Sequence, residues 1–142
     1  MTNESKPTVL TDEKFSDFIG KNIPLRYMID WEILHYHVYE KWTSGKYRGG
    51  VWELCVNDDG FYMRPTHDKN FEIHSDSGFS TSELTHDSIG IALEQWIASH
   101  LSFRAYGLND KEGVEFWSNH YYAITELRNQ SPQCALIARF ND

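Results

Sequence analysis

The stretch Gly49-Gly50-Val51-Trp52-Glu53-Leu54-Cys55-Val56-Asn57-Asp58-Asp59-Gly60-Phe61-Tyr62-Met63-Arg64-Pro65 decides how this chain is read. Two glycines open it, an alternating run follows from Val51 to Asn57, and Asp58-Asp59-Gly60 turns the chain back through Phe61 to Pro65. Asp-Gly between alternating runs is a strong short-range hairpin signal. Side chains alternate along a strand, so Trp52, Leu54, Val56, Phe61 and Met63 share one face. Glu53, Cys55, Tyr62 and Arg64 take the other. A two-residue turn at Asp58-Asp59 or at Asp59-Gly60 preserves those faces. Either leaves Glu53 opposite or diagonal to Arg64, within reach of a cross-strand ion pair.

Downstream, Phe71-Glu72-Ile73-His74 reads as a third strand and Phe79 to Thr81 as a short fourth, joined by turns at Thr66 to Lys69 and Asp76-Ser77-Gly78. Consecutive short strands with tight turns make an antiparallel meander. Upstream, Trp31, Leu34, Val38 and Trp42 recur at helical spacing, which predicts a helix from about Asp30 to Thr43 with Asp30 as its cap. A shorter helix capped by Thr11 carries Phe15, Phe18 and Ile19 and ends at Gly20. Residues 22–25, with Pro24, read as a connection.

Beyond the strands, Thr85 caps the longest helix, about His86 to Phe103, with Ile89, Leu93, Trp96, Ile97 and Leu101 as its apolar stripe. Gly90 inside it is about 1 kcal/mol worse than Ala in a helix, which points to a neighbour packed closely there. A further helix spans about Glu112 to Asn129 with Phe116, His120, Ile124 and Leu127 to one side. Ser131-Pro132 starts a short helix through Phe140. The expected fold is α+β: a three- to four-stranded antiparallel meander packed against several helices, in a single layered domain over residues 11–142. The polar segment 1–10 is expected to be a disordered tail.

Composition narrows the function. With 142 residues, 40% hydrophobic and 15% aromatic, the chain can bury a real core. No apolar run approaches the ~20 residues a membrane span needs, and the N-terminus lacks a secretory signal, so the expected location is the cytoplasm. Cys55 and Cys134 lack metal-type spacing and read as reduced, packed thiols. The net charge of −8 argues against nucleic-acid binding. It also falls short of DNA mimicry. A domain of this length is about 37 Å across, and duplex DNA over that span carries about 22 phosphate charges.

Catalytic and metal patterns are weak. His35 and His37 sit about 200° apart on a helix and cannot share a metal there. Glu32 with His35 matches half of a di-iron motif that needs a second copy together with further glutamates on other helices. No metal and no cofactor are expected. His120 reads as a hydrogen-bonded core histidine. No G-x-S-x-G elbow, P-loop or G-x-G-x-x-G is present. Cys55 with His74 could form a thiol–imidazole pair, against the reading of Cys55 as a small buried hydrophobe. The surplus of Tyr and Trp, without a basic track, suits core and protein interface.

Tyr47-Arg48-Gly49-Gly50-Val51-Trp52-Glu53 followed by Gly60-Phe61-Tyr62-Met63-Arg64-Pro65 resembles the signature of the ArdB/KlcA antirestriction family. Members typically show a Gly-Gly-aromatic-Trp-Glu strand and a Gly-Gly-Phe-Tyr-Met-Ala-Pro return. The similarity covers residues 15–142, including the Trp-bearing helix, the Phe79-to-Leu84 approach, the His120-Tyr121 helix and a C-terminal helix ending near Asp142. Val51, Asp59 and Arg64 depart from the pattern, and Arg64 changes the charge of the face it shares with Glu53. The resemblance implies interference with type I restriction–modification on behalf of a plasmid, phage or integrated element. It further implies a non-enzymatic action, distinct from strong DNA mimicry, on the restriction complex or an associated host protein. It supplies no catalytic residue. Loop-tip and surface reasoning makes Glu53, Asp58, Asp59, Arg64 and Asp142 the expected partner contacts. The alternative is an enzyme that modifies a host defence component through Cys55 or a carboxylate–His site.

Overall fold

In chain order the computed structural model, which describes residues 7–67 and 69–142, runs as follows. β1 (Thr8–Leu10), α1 (Asp12–Asn22) and α2 (Leu25–Trp42) precede the hairpin strands β2 (Trp52–Val56) and β3 (Phe61–Pro65). Then come β4 (Ile73–His74), β5 (Ser80–Thr81), α3 (His86–Gly107), α4 (Lys111–Gln130) and α5 (Cys134–Asn141).

The hairpin forms as read. Glu53 faces Arg64, Leu54 faces Met63 and Val56 faces Phe61. The Asn57 N–H donates to the Gly60 carbonyl at 2.9 Å, which places the turn at Asp58-Asp59. The Asn57 side-chain oxygen accepts from the N–H groups of Asp59 and Gly60 at 2.9 and 3.1 Å, so an Asx-type bond holds the bend.

The rest of the sheet differs from the expected continuous meander. The third strand is β1, paired antiparallel with the other side of β2 through Thr8–Val56, Val9–Cys55 and Leu10–Leu54. Part of the expected tail is therefore sheet, while residues 1–6 lie outside the described residues. β4 pairs with β5 in a separate two-stranded sheet. The physical reason lies at β3: it ends in Pro65, which has no N–H to offer, and α3 occupies its outer edge.

Several helix boundaries also differ from those expected. α2 begins at Leu25, behind Pro24 with φ −56°, and its buried stripe of Tyr27, Trp31, His35, Val38, Tyr39 and Trp42 starts before Asp30. Asp30 is not a cap; it accepts an ion pair from Arg104 of α3 at 2.9 Å. α1 passes through Gly20 to Asn22, and Thr11 makes no side-chain capping bond. Thr85 does cap α3, its hydroxyl oxygen accepting from Ser88 N–H at 3.2 Å. Asp110 caps α4 through Gly113 N–H at 3.1 Å. α5 starts at Cys134, two residues beyond Pro132.

α3 is the central helix, buried continuously from Ser88 to Gln95. It crosses β3 at Gly90, where an added Cβ would lie 2.6 Å from the Met63 carbonyl oxygen and 2.9 Å from the Tyr62 ring. One turn further, Glu94 is fully buried. Its Oε1 accepts from His35 Nε2 at 2.5 Å and from the Met63 N–H at 3.3 Å. Its Oε2 accepts from Trp31 Nε1 at 3.2 Å and from His120 Nε2 at 2.9 Å. The Met63 N–H is available because the Asn57–Gly60 bond sets the alternation of the ladder: Leu54 and Met63 form a non-hydrogen-bonded pair, and their N–H groups point outward. His35 Nδ1 lies 2.7 Å from the Trp31 carbonyl. A carbonyl and a carboxylate can only accept, so both nitrogens of His35 carry hydrogen and the ring is an imidazolium. Burial works against the Glu94 charge, and His35 and His120 outweigh it, holding the carboxyl down at about 2.

Two outcomes follow from this packing. Gly90→Ala gains helix propensity but meets a backbone carbonyl that cannot turn aside. It should lower unfolding free energy by about 1–2 kcal/mol in denaturant titration; an unchanged or higher midpoint would show that β3 can yield. Glu94→Gln strands the His35 charge and should cost roughly 3–5 kcal/mol. The folded Glu94 carboxyl titrates below its reference value of 4.5. Its stabilisation is therefore complete above pH 4.5 and is lost as pH falls toward about 2. Wild-type stability should drop more steeply through that window than that of Glu94→Gln, and parallel curves would contradict the assignment.

Candidate functional site

The hairpin face opposite Trp52 is only partly a surface. Cys55 is fully buried and Tyr62 nearly so, because α3 covers that end. Burial pushes the Cys55 thiol up to about 11, far from a reactive thiolate. His74, its suggested partner, belongs to β4 in the other sheet, where its Nδ1 lies 2.6 Å from Ser80 Oγ. The thiol–imidazole pair suggested for Cys55 and His74 does not form. The carboxylate–histidine cluster of Glu94, His35 and His120 is likewise sealed in the core, its polar atoms engaged by one another and by Trp31 and Met63.

At the other end of the face the charges meet solvent. Arg64 Nε donates to Glu53 at 3.0 Å and its Nη1 to Asp87 Oδ1 at 2.7 Å. The Tyr62 hydroxyl donates to the same Asp87 oxygen at 2.9 Å. Burial opposes the Arg64 charge, and Asp87 and Glu53 outweigh it, raising its pKa above the ordinary arginine range. Burial likewise raises that of the Tyr62 phenol. The side chains of Glu53 and Arg64 are 29% and 22% exposed, so these two expected contacts are half-buried and held in place. They line an open cavity of about 570 Å³ with Thr66, His67, His86 and Asp87. The Tyr39 hydroxyl sits 2.5 Å from His67 Nε2 behind it, with the two rings stacked.

Asp87 also borders a smaller cavity, about 130 Å³, that reaches past Tyr62 and Asn57 to Gln130 and Pro132. Asp58 and Asp59 stand exposed at the hairpin tip. Asp59 accepts from Gln130 Nε2 at 2.8 Å, tying the tip to the end of α4. Glu53, Arg64 and Asp59 are thus linked along the hairpin through Asp87 and Gln130, with Asp58 exposed beside Asp59 at the tip. Asp142 does not join them. It caps the end of α5 and borders cavities lined by Trp96 and Asn141 that share no residue with the hairpin cavities.

Sequence reasoning missed Asp87, which reads in one dimension as an ordinary acidic first-turn residue. A signal existed: Asp87 precedes Gly90 by three positions, so both lie on the helix face that meets β3. Glu94 follows at i+4. Among the described residues, no group of three or more His, Cys, Asp and Glu is arranged to hold a metal. The face carries four carboxylates, Glu53, Asp58, Asp59 and Asp87, against one guanidinium already engaged by two of them. Such a surface favours a basic partner over an acidic one.

Comparison with known proteins agrees with the hairpin signature. Residues 45–142 match the antirestriction protein family. The chain is 27% identical to the antirestriction protein KlcA of Escherichia coli over 97 residues, which span 68% of this chain and 64% of that protein. It superposes with a TM-score of 0.81 and 25% identity on a solved structure, covering 100% of this chain and 99% of the other. That structure comes from work stating that the KlcA and ArdB proteins show a novel fold and antirestriction activity against type I DNA restriction systems in vivo but not in vitro. This chain, by the extent of the family match, belongs to the antirestriction protein family.

Proposed function

We propose that this protein protects incoming mobile-element DNA from type I restriction–modification in the bacterial cytoplasm, and that it does so by binding a protein. The observation that supports binding over catalysis is the division of its chemistry. The carboxylate–histidine cluster is buried with its groups bonded to one another and the Cys55 thiol is buried, while the accessible groups are an ordered acidic face. The partner is a component of the restriction complex or a host protein associated with it. Glu53, Arg64 and Asp87 form the rigid part of the contact, and Asp58 and Asp59 form its tip. Asp142 marks a separate contact at the end of α5. A net charge of −8 disfavours direct contact with DNA. Partner binding through this face should weaken as salt is raised.

A plasmid-transformation assay in a restricting host tests the reading. Asp58→Lys/Asp59→Lys should abolish protection while leaving thermal stability within about 0.5 kcal/mol of wild type, because both side chains are exposed. Full protection by that variant would remove the tip from the interface. Cys55→Ala should leave protection intact, and its loss in a folded variant would favour a thiol enzyme instead.

A further inference from the structure

Arg128 departs from the electrostatic pattern of the molecule. The chain has 21 acidic residues and 13 basic ones, yet no carboxylate among the described residues pairs with this guanidinium. It projects from the last turn of α4 and is half-buried. Its Nε is sealed from solvent with no acceptor, and its Nη1 reaches Gln95 Oε1 only at 3.5 Å. That oxygen is already taken by Asn141 Nδ2 at 2.8 Å. A last-turn arginine can complement the helix dipole from open solvent. That role gives no reason to fold it inward over Gln95 with a buried N–H unmet, an arrangement that costs about 1–3 kcal/mol.

The guanidinium borders a cavity of about 310 Å³ between α3, α4 and α5. Ser99, Tyr121 and His100 bring further donor groups to the wall, and Trp96 stacks on His100 with ring centroids 5.1 Å apart. Asp142 is the one acid in that wall. A planar guanidinium binds a carboxylate or phosphate through two parallel hydrogen bonds, and a wall of neutral donors stabilises the same charge. The volume lies at the small end of ligand sites, enough for one anionic group and its immediate attachment.

We propose that this cavity is an oxyanion-binding site built on Arg128, which receives a carboxylate or phosphate group of a ligand. Asp142 opposes the incoming charge and keeps the site weak for free anions. The site lies away from the acidic hairpin face and shares only Asp142 with the proposed partner contacts; its occupation is measurable without any restricting host, so its failure is distinguishable from failure of the protective role.

Titration of the whole chain with inorganic phosphate and, separately, acetate, followed by NMR at the Arg128 Nε–H and the Trp96 indole N–H, tests this. Saturable shifts are expected, with affinity at least tenfold weaker in Arg128→Gln and partly retained in Arg128→Lys, which guards against a folding defect. Asp142→Asn should tighten binding. Comparable affinity for acetate would assign the site to a carboxylate; a response to phosphate alone would assign it to a phosphate ester. Non-saturable shifts, or equal affinity in folded Arg128→Gln, would overturn the proposal. So would exposure of the Arg128 Nε–H to rapid exchange on Asp142→Asn, which would show that Asp142 is its true partner.

Discussion

A carboxylate with no access to water holds this fold in register. Glu94 would be strongly unfavourable in the core unless every charge-stabilising contact were made, and its two oxygens collect four donors. Those donors come from α2, β3 and α4, while Glu94 itself comes from α3. Each element is thereby located against the same two atoms. The Met63 contribution is the most constraining, since only an outward-facing N–H of the ladder can reach a helix lying along the strand's free edge. α3 therefore covers an edge that would otherwise invite pairing with another chain.

That approach also creates the outer face. With Gly90 against the Met63 carbonyl, the turn of α3 before it brings Asp87 to Arg64 and Tyr62, and the cross-strand Glu53–Arg64 pair becomes a three-residue charge cluster. The turn after it carries Glu94 into the core. A single helix thus divides the chemistry, with satisfied buried groups on one side and ordered accessible charge on the other.

Legibility in the sequence followed the range of the interaction. The hairpin, its faces and the Glu53–Arg64 pair were readable because alternation and turn chemistry act over a few residues. The Thr85 cap and the tight packing at Gly90 were readable for the same reason, one from a local hydrogen bond and the other from a local propensity penalty. β1 was not, since three residues acquire strand identity only by pairing with Leu54 to Val56 some forty-five positions away. Nor was the start of α2, where Pro24 looked like a connection until the buried stripe was seen to begin at Tyr27.

The chain by itself determined the α+β class, the hairpin, the long capped helix and the family signature, all of which rest on periodicity and short-range stereochemistry. Only the tertiary structure decided that Glu94 is a core residue, that His35 is charged, that Cys55 is inert and that Asp87 completes the Arg64 cluster. It likewise separated Asp142 from the hairpin face. Charge state and accessibility depend on which groups distant segments bring within about 3 Å of one another. Local sequence pattern does not encode that distance.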